Sequence, residues 1–276
     1  MKIRVRYLVI AVLALALLFG SYRTARSNTY DPQVRAGVNY FLDQAKAQLP
    51  LTENLLSALK SGDINKAKAA YVEARPPYEE IEVLAASFTK EDTDIDARPY
   101  AIEGGETSPE FRGFHRIEAL IYRDGDLQAA IPYGEQLVAS VKSLITELNK
   151  PENFNAPLNF RGMLNLATEL PAKKISSEEE TWSDQSLLIF KHNWIGIHSQ
   201  FEPYKAILGR AITEKVESAY QACLSTIEPF FRPGQVAAMP YSTVTPEQRG
   251  AIVRASYRYR EALLEAKAAL NIADPQ

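Results

Sequence analysis

From Asp31 to about residue 271, apolar side chains recur three and four positions apart, the period that gathers them on one face of a helix. This pattern predicts helices over 31–48, 50–60, 63–88, 108–123, 126–149, 157–170, 183–208, 210–230 and 245–271. Three of them have start signals: Ser61-Gly62-Asp63, Ser108-Pro109-Glu110 and Thr245-Pro246-Glu247. A proline at the first helical position loses no hydrogen bond, and an acid there complements the helix dipole. No run of Val, Ile and Thr alternates for long enough to make a sheet, so the expected fold class is all-α. The segment Lys150 to Pro157 is the best central break. It separates residues 29–150 from 151–276, each with enough helix for a four-helix bundle, the two packed together.

Of the 276 residues, 46% are apolar and 24% charged, the make-up of an ordinary globular core. The lone Cys223 excludes a disulfide framework and any cysteine-rich zinc or iron–sulfur centre. A formal net charge of −3 with no long basic run argues against a nucleic-acid partner. Residues 1–28 differ from the rest. Lys2, Arg4 and Arg6 precede an apolar stretch from Leu8 to Gly20, followed by Arg23 and Arg26. The stretch is short for a membrane span and suits the hydrophobic part of an export signal, either a cleaved signal peptide or a signal anchor. The remainder of the chain is therefore expected to work outside the cytoplasm.

Without those residues the charge is −8, and all of it falls in 73–110, which hold eleven acids and three bases. Such a block is either a solvated face or a set of carboxylates gathered around a cation or basic side chains. Two pairs favour the second reading. Glu79 and Glu82, just after Pro76-Pro77, stand three apart and so share a helical face, as do His115 and Glu118. A His and a Glu at that spacing can aim at one point between helices, a donor mix suited to iron, zinc, manganese or copper. Asp92, Asp94, Asp96 and Glu103 have the spacing of a calcium loop. Ala97 and Pro99 replace the residues its turn needs, so an EF-hand is not expected, although Asp96 could reach a metal from a loop.

Further along, Glu178-Glu179-Glu180 precede Ser183, a candidate helix cap, and a glutamate of this run could also reach the first bundle. His192 and His198 are expected to be packing or surface residues. A faint echo of Gly113-Phe-His115-Arg-Ile-Glu118 occurs at Gly196-Ile-His198-Ser-Gln-Phe-Glu202, with one residue more between His and Glu. The chain contains no HExxH motif, no Ser-His-Asp arrangement and no phosphate-binding glycine loop.

Tyr78-Glu79-x-Ile-Glu82, Ile95-Asp96-Ala97-Arg98 and Gly113-Phe114-His115-Arg116-Ile117-Glu118, with Lys174-Ile175, Glu178-Glu179 and Asn193 later on, resemble the imelysin-like EfeO/EfeM family. The similarity extends over most of residues 30–272 and matches the short form without a cupredoxin domain. It implies a periplasmic, all-helical protein of two four-helix bundles with a metal site around GxHxxE. Carried over residue by residue, the implied ligands are His115 and Glu118, with Glu79, Glu82 and Asp96 close by and Glu178 from the second half. The implied function is a non-catalytic, monomeric component of an iron-uptake system. The implied ion is iron, with zinc or copper as alternatives, and the implied partners are an inner-membrane iron permease and an exported haem peroxidase. A metallopeptidase and a cation-dependent binder of acidic polysaccharide are the alternative functions.

Overall fold

A computed structural model describes residues 29–176 and 179–274, so the expected export signal lies outside the described residues. The described residues are mostly helical, and their only β pairing is an isolated bridge between Phe231 and Ala238. No described helix is long and apolar enough to cross a membrane.

The first helix, α1 (Asp31–Lys60), runs unbroken through Pro50, where the sequence suggests two helices. Val34, Phe41, Ala45, Gln48, Thr52, Leu55 and Leu59 are buried, and their steps of three, four and seven continue across the proline as one stripe. Burial of that stripe along about 45 Å of helix outweighs the roughly 3 kcal/mol that an interior proline costs. Helix α2 (Ile64–Ala74) is capped by the Asp63 carboxylate, which accepts from the backbone N–H of Asn65 and Lys66. Pro76-Pro77 then starts a new short helix, α3 (Pro76–Ile81), which passes into a 3-10 turn over Glu82–Ser87.

The region read as an acidic loop is α4 (Thr89–Asp96). On a helix, acids two apart point in different directions, and they find different partners. Asp92 accepts from Tyr78, Asp94 meets Lys90 and Arg112, and Asp96 turns inward to Arg75. The helix expected at 108–123 begins only at Phe114, as the five-residue α5 (Phe114–Glu118), and continues as a π turn over Ala119–Asp124. It cannot start earlier, because Gly113 adopts φ 76°. A side chain on Gly113 would put its Cβ 2.1 Å from the Ile95 carbonyl oxygen, so only glycine lets the two strands of backbone meet there.

Helices α6 (Leu127–Leu148) and α7 (Ala156–Ala172) match the expected spans. Helix α8 (Ser186–Phe201) starts three residues beyond Ser183, which is not its cap. Helices α9 (Arg210–Ile227) and α10 (Pro246–Ala269) complete the chain, the last opening with a Thr245/Gln248 capping box. Helix α1 packs chiefly on α6 and α2, and α10 on α9 and α7, while α3 and the turn after it wedge between α8 and α7. At the α3–α8 crossing a Cβ on Gly196 would lie 2.3 Å from the Glu80 carbonyl oxygen. This close approach turns Asn193 of α8 toward Glu79 and Glu82.

Candidate metal centre

The glycine that delays α5 also aims it. With Gly113 against Ile95, His115 faces Asp96 at the end of α4, its Nε2 3.4 Å from Asp96 Oδ1. One helical turn on, Glu118 Oε2 lies 3.3 Å from Nδ1 of the same ring. The other Glu118 oxygen accepts the backbone N–H groups of Trp182 (2.9 Å) and Ser183 (2.7 Å). Glu118 is thereby fixed from two segments, and in turn fixes the plane of the imidazole.

The segment that supplies those N–H groups also supplies Glu179 and Glu180, both buried. Among the described residues, Asp96, His115 and Glu179 form one set whose donor atoms all lie within 4.8 Å of one another, and His115, Glu118 and Glu180 form another. His115 belongs to both. Glu178 lies outside the described residues.

Three bases run through the cluster. Arg75 is fully buried and reaches Glu79 (2.6 Å), Asp96 (2.7 Å) and Glu180 (2.9 Å). Arg98 pairs with Asp96 at 3.1 Å and with Glu179. Lys174 bridges Glu82 (2.8 Å) and Glu179 (3.1 Å). Asn193 Nδ2 donates to Glu79 (3.0 Å) and Glu82 (2.8 Å). Of the sequence-predicted ligands, Asp96, His115 and Glu118 therefore converge, whereas Glu79 and Glu82 sit alongside with Arg75, Lys174 and Asn193 on their oxygens.

The protonation pattern follows from these partners. Burial alone would lower the His115 pKa, but the charge of Asp96 beside it and the contact with Glu118 raise it to about 9. Despite burial, Arg75 and Arg98 hold Asp96 well below the usual carboxylate range, and Arg98 and Lys174 hold Glu179 low. Glu118 is also low, through His115 and the two backbone donors, against its burial. Burial and the neighbouring Glu118 push Glu180 up to about 7, and burial pushes Glu79 well above the ordinary range against the pull of Arg75. The low carboxylates Asp96, Glu118 and Glu179 thus lie among Arg75, Arg98, Lys174 and a His115 that favours its charged form, while Glu79 and Glu180 are shifted toward their protonated forms.

Within this network several atoms are left without hydrogen bonds. They include Nε2 of His115, Oδ2 of Asp96 and Oε2 of Glu179, all buried. The Asp96 oxygen has a 3.1 Å ion-pair approach from Arg98, and His115 Nε2 lies 3.4 Å from the other Asp96 oxygen. A buried carboxylate oxygen with no such partner, as Oε2 of Glu179 is, is costly unless something further joins it. Imidazole with two carboxylates is a donor set that a first-row transition ion accepts.

Sequence reasoning did not single out Arg75 or Lys174 as members of the site. Arg75 stands before a double proline, where it looks like a helix-end residue, and Lys174 has no periodic signal at all. Glu179 and Glu180 belong to an acidic run from which a glutamate could reach the first bundle, and the resemblance points to their neighbour Glu178 as the ligand.

Over 145 residues the chain is 38% identical to the iron uptake system component EfeO of Escherichia coli (strain K12) and of Shigella flexneri, a stretch that covers 51% of this chain. EfeO of Escherichia coli O1:K1 / APEC is 37% identical over the same length. The chain spans 38% of the length of each of these relatives. The family model for imelysin, also labelled peptidase M75, matches residues 34–266, and the chain belongs to the imelysin family.

Proposed function

We propose that this protein is an exported, non-catalytic component of an iron-uptake system that carries a metal cation at His115. Nε2 of His115, with Asp96 and Glu179, holds the ion, and Glu118 orients the ring through Nδ1, as carboxylates do behind metal-bound histidines. Glu180 completes the polar shell. The observation that carries this reading is the convergence of His115, Asp96 and Glu179, whose donor atoms lie within 4.8 Å of one another, with Oε2 of Glu179 buried and without a hydrogen bond. The similarity to iron uptake system component EfeO supports iron as the cargo.

Charge bookkeeping supports the same reading. A divalent ion that displaces the His115 proton and the Glu180 proton leaves the net charge of the buried cluster unchanged. Loading is then an exchange of one dication for two protons, with no net charge brought into a dry interior. The acidic block at 73–110 supplies an attractive field for an incoming cation. The division into bundles at 29–150 and 151–276, release to an inner-membrane permease, an exported haem peroxidase as partner and a periplasmic location belong to this proposal.

The test is a titration of the cation-free protein with Fe2+, Zn2+ and Cu2+, beside His115→Ala and Glu179→Gln. Wild type should bind at least one equivalent that His115→Ala loses entirely and Glu179→Gln weakens about tenfold or more. Equal binding by all three proteins would remove the site. The peptidase label is tested in the same preparation: zinc-dependent cleavage of casein that Glu118→Gln abolishes would assign hydrolysis instead.

A further inference from the structure

Helix α8 has a second histidine–carboxylate arrangement, about 140° round the helix from Asn193. His198 Nε2 lies 2.8 Å from Glu217 Oε1 on α9 and 3.7 Å from Glu202 Oε2, four residues on. Donor atoms of these three residues all lie within 4.8 Å of one another. The ring is held flat against Tyr220, with centroids 4.0 Å apart and planes 12° off parallel, so its Nε2 is aimed rather than free to turn.

A cation already occupies this spot. Lys205 Nζ is 2.7 Å from Glu202 Oε2 and 3.1 Å from Glu217 Oε1, bridging both carboxylates. Lys205 is a long side chain, 28% exposed, and can swing into solvent without opening the core. The local sequence, Gly196-x-His198-x-x-x-Glu202, is the one-residue-longer echo of Gly113-x-His115-x-x-Glu118. Both histidines stand two residues after a glycine that closely meets another segment's backbone carbonyl. The two sites share no residue.

We propose that His198, Glu202 and Glu217 form a second cation site, open to solvent, which takes a divalent first-row transition ion in place of the Lys205 ammonium. One imidazole and two carboxylates match the preference of such ions, and the remaining positions of the shell stay with water. The site is independent of the buried centre and is expected to bind more weakly, because the ion must displace Lys205 and the carboxylates are partly hydrated.

The experiment uses the full chain and Zn2+, read by the imidazole NMR resonances. The protein has three histidines, so each resonance is assigned by one variant apiece. Zinc should shift and broaden the His198 resonances in wild type and equally in His115→Gln, which separates this site from the buried one. Lys205→Met should tighten zinc at His198 by about two- to fivefold, the worth of a competing exposed ion pair. Glu217→Gln should weaken it by at least tenfold with the far-ultraviolet circular dichroism unchanged. His198 resonances that stay fixed at millimolar zinc in wild type and in Lys205→Met would overturn the proposal. So would a shift that vanishes in His115→Gln.

Discussion

His115 and His198 sit in arrangements that look alike on paper, an imidazole between carboxylates with a lysine or arginine nearby, yet their surroundings differ. The His115 side chain is 2% exposed and that of His198 is 18% exposed. Around His115, Asp96, Glu179 and Glu180 have fixed basic counterparts drawn from different segments, Arg75 after α2, Arg98 after α4 and Lys174 after α7, and Glu118 is held by two backbone N–H groups. Around His198 one flexible lysine serves both acids. The difference teaches that burial, more than donor identity, dictates how much protein must be committed to a site. In a dry interior an unmatched charge costs several kcal/mol, whereas at a wet surface water does most of the matching.

The sharpest way to break this comparison is to remove one fixed counter-charge. Arg75→Met leaves Glu79, Asp96 and Glu180 without their shared partner in a fully buried position. The cation-free protein should lose on the order of 3–5 kcal/mol of stability, the usual cost of breaking a buried pair from one side. Urea unfolding at pH 7.5 measures it. The loss should shrink at pH 5, where the orphaned carboxyls can take up protons. A loss below about 1 kcal/mol at pH 7.5 would place Arg75 among ordinary surface charges and erase the contrast between the two sites.

Proton competition gives the next effect. His115 has its pKa raised from 6.5 to about 9, and Glu180 from 4.5 to about 7. Both protons must leave when the ion enters through these residues. The logarithm of the zinc or iron affinity should therefore rise with a slope near one between pH 7 and 9, more steeply below 7, and level off above 9. The cation-free fold responds in the opposite sense. The stabilisation from His115 is fully present below pH 6.5 and is lost as the pH climbs through 9, because the folded state holds that proton more tightly than the unfolded chain. Competition with a chelator of known pH behaviour reads the first trend, and urea midpoints across the same range read the second. A pH-independent affinity between 7 and 9 would mean that the ion does not displace the His115 proton.

Much of the fold was legible in the amino-acid pattern, and the exceptions have physical causes. The stripe from Val34 to Leu59 carries α1 through Pro50 because packing outweighs the local penalty, a balance that propensity alone does not contain. Acids at 92, 94 and 96 resemble a calcium loop only while they are counted along the chain; once helical, they point to three different partners. At the site, the HxxE spacing brings His115 and Glu118 together because both lie within one helical turn, where periodicity speaks. Arg75, Lys174, Glu179 and Glu180 reach the same point from elsewhere in the fold. Their convergence is tertiary, set by the approach of Gly113 to Ile95 and of Gly196 to Glu80, and no local period encodes it.

The smallest expected effect completes the contrast with Arg75. Lys205→Met removes a base that touches two carboxylates, where Arg75→Met removes one that touches three, and a count of ion pairs would predict losses of similar order. Glu202 is 54% exposed and Glu217 30%, so water replaces most of what the ammonium supplied, and the long methionine side chain keeps the apolar stem packed. Glu217 also keeps its 2.8 Å contact with His198. Stability should change by no more than about 1 kcal/mol, and the difference from wild type should fade further between 0.05 and 1 M salt as the exposed charges are screened. Urea unfolding of both proteins at the two salt concentrations checks this. A loss approaching that of Arg75→Met, insensitive to salt, would show that the His198 cluster behaves as an interior network and that exposure is not what separates the two sites.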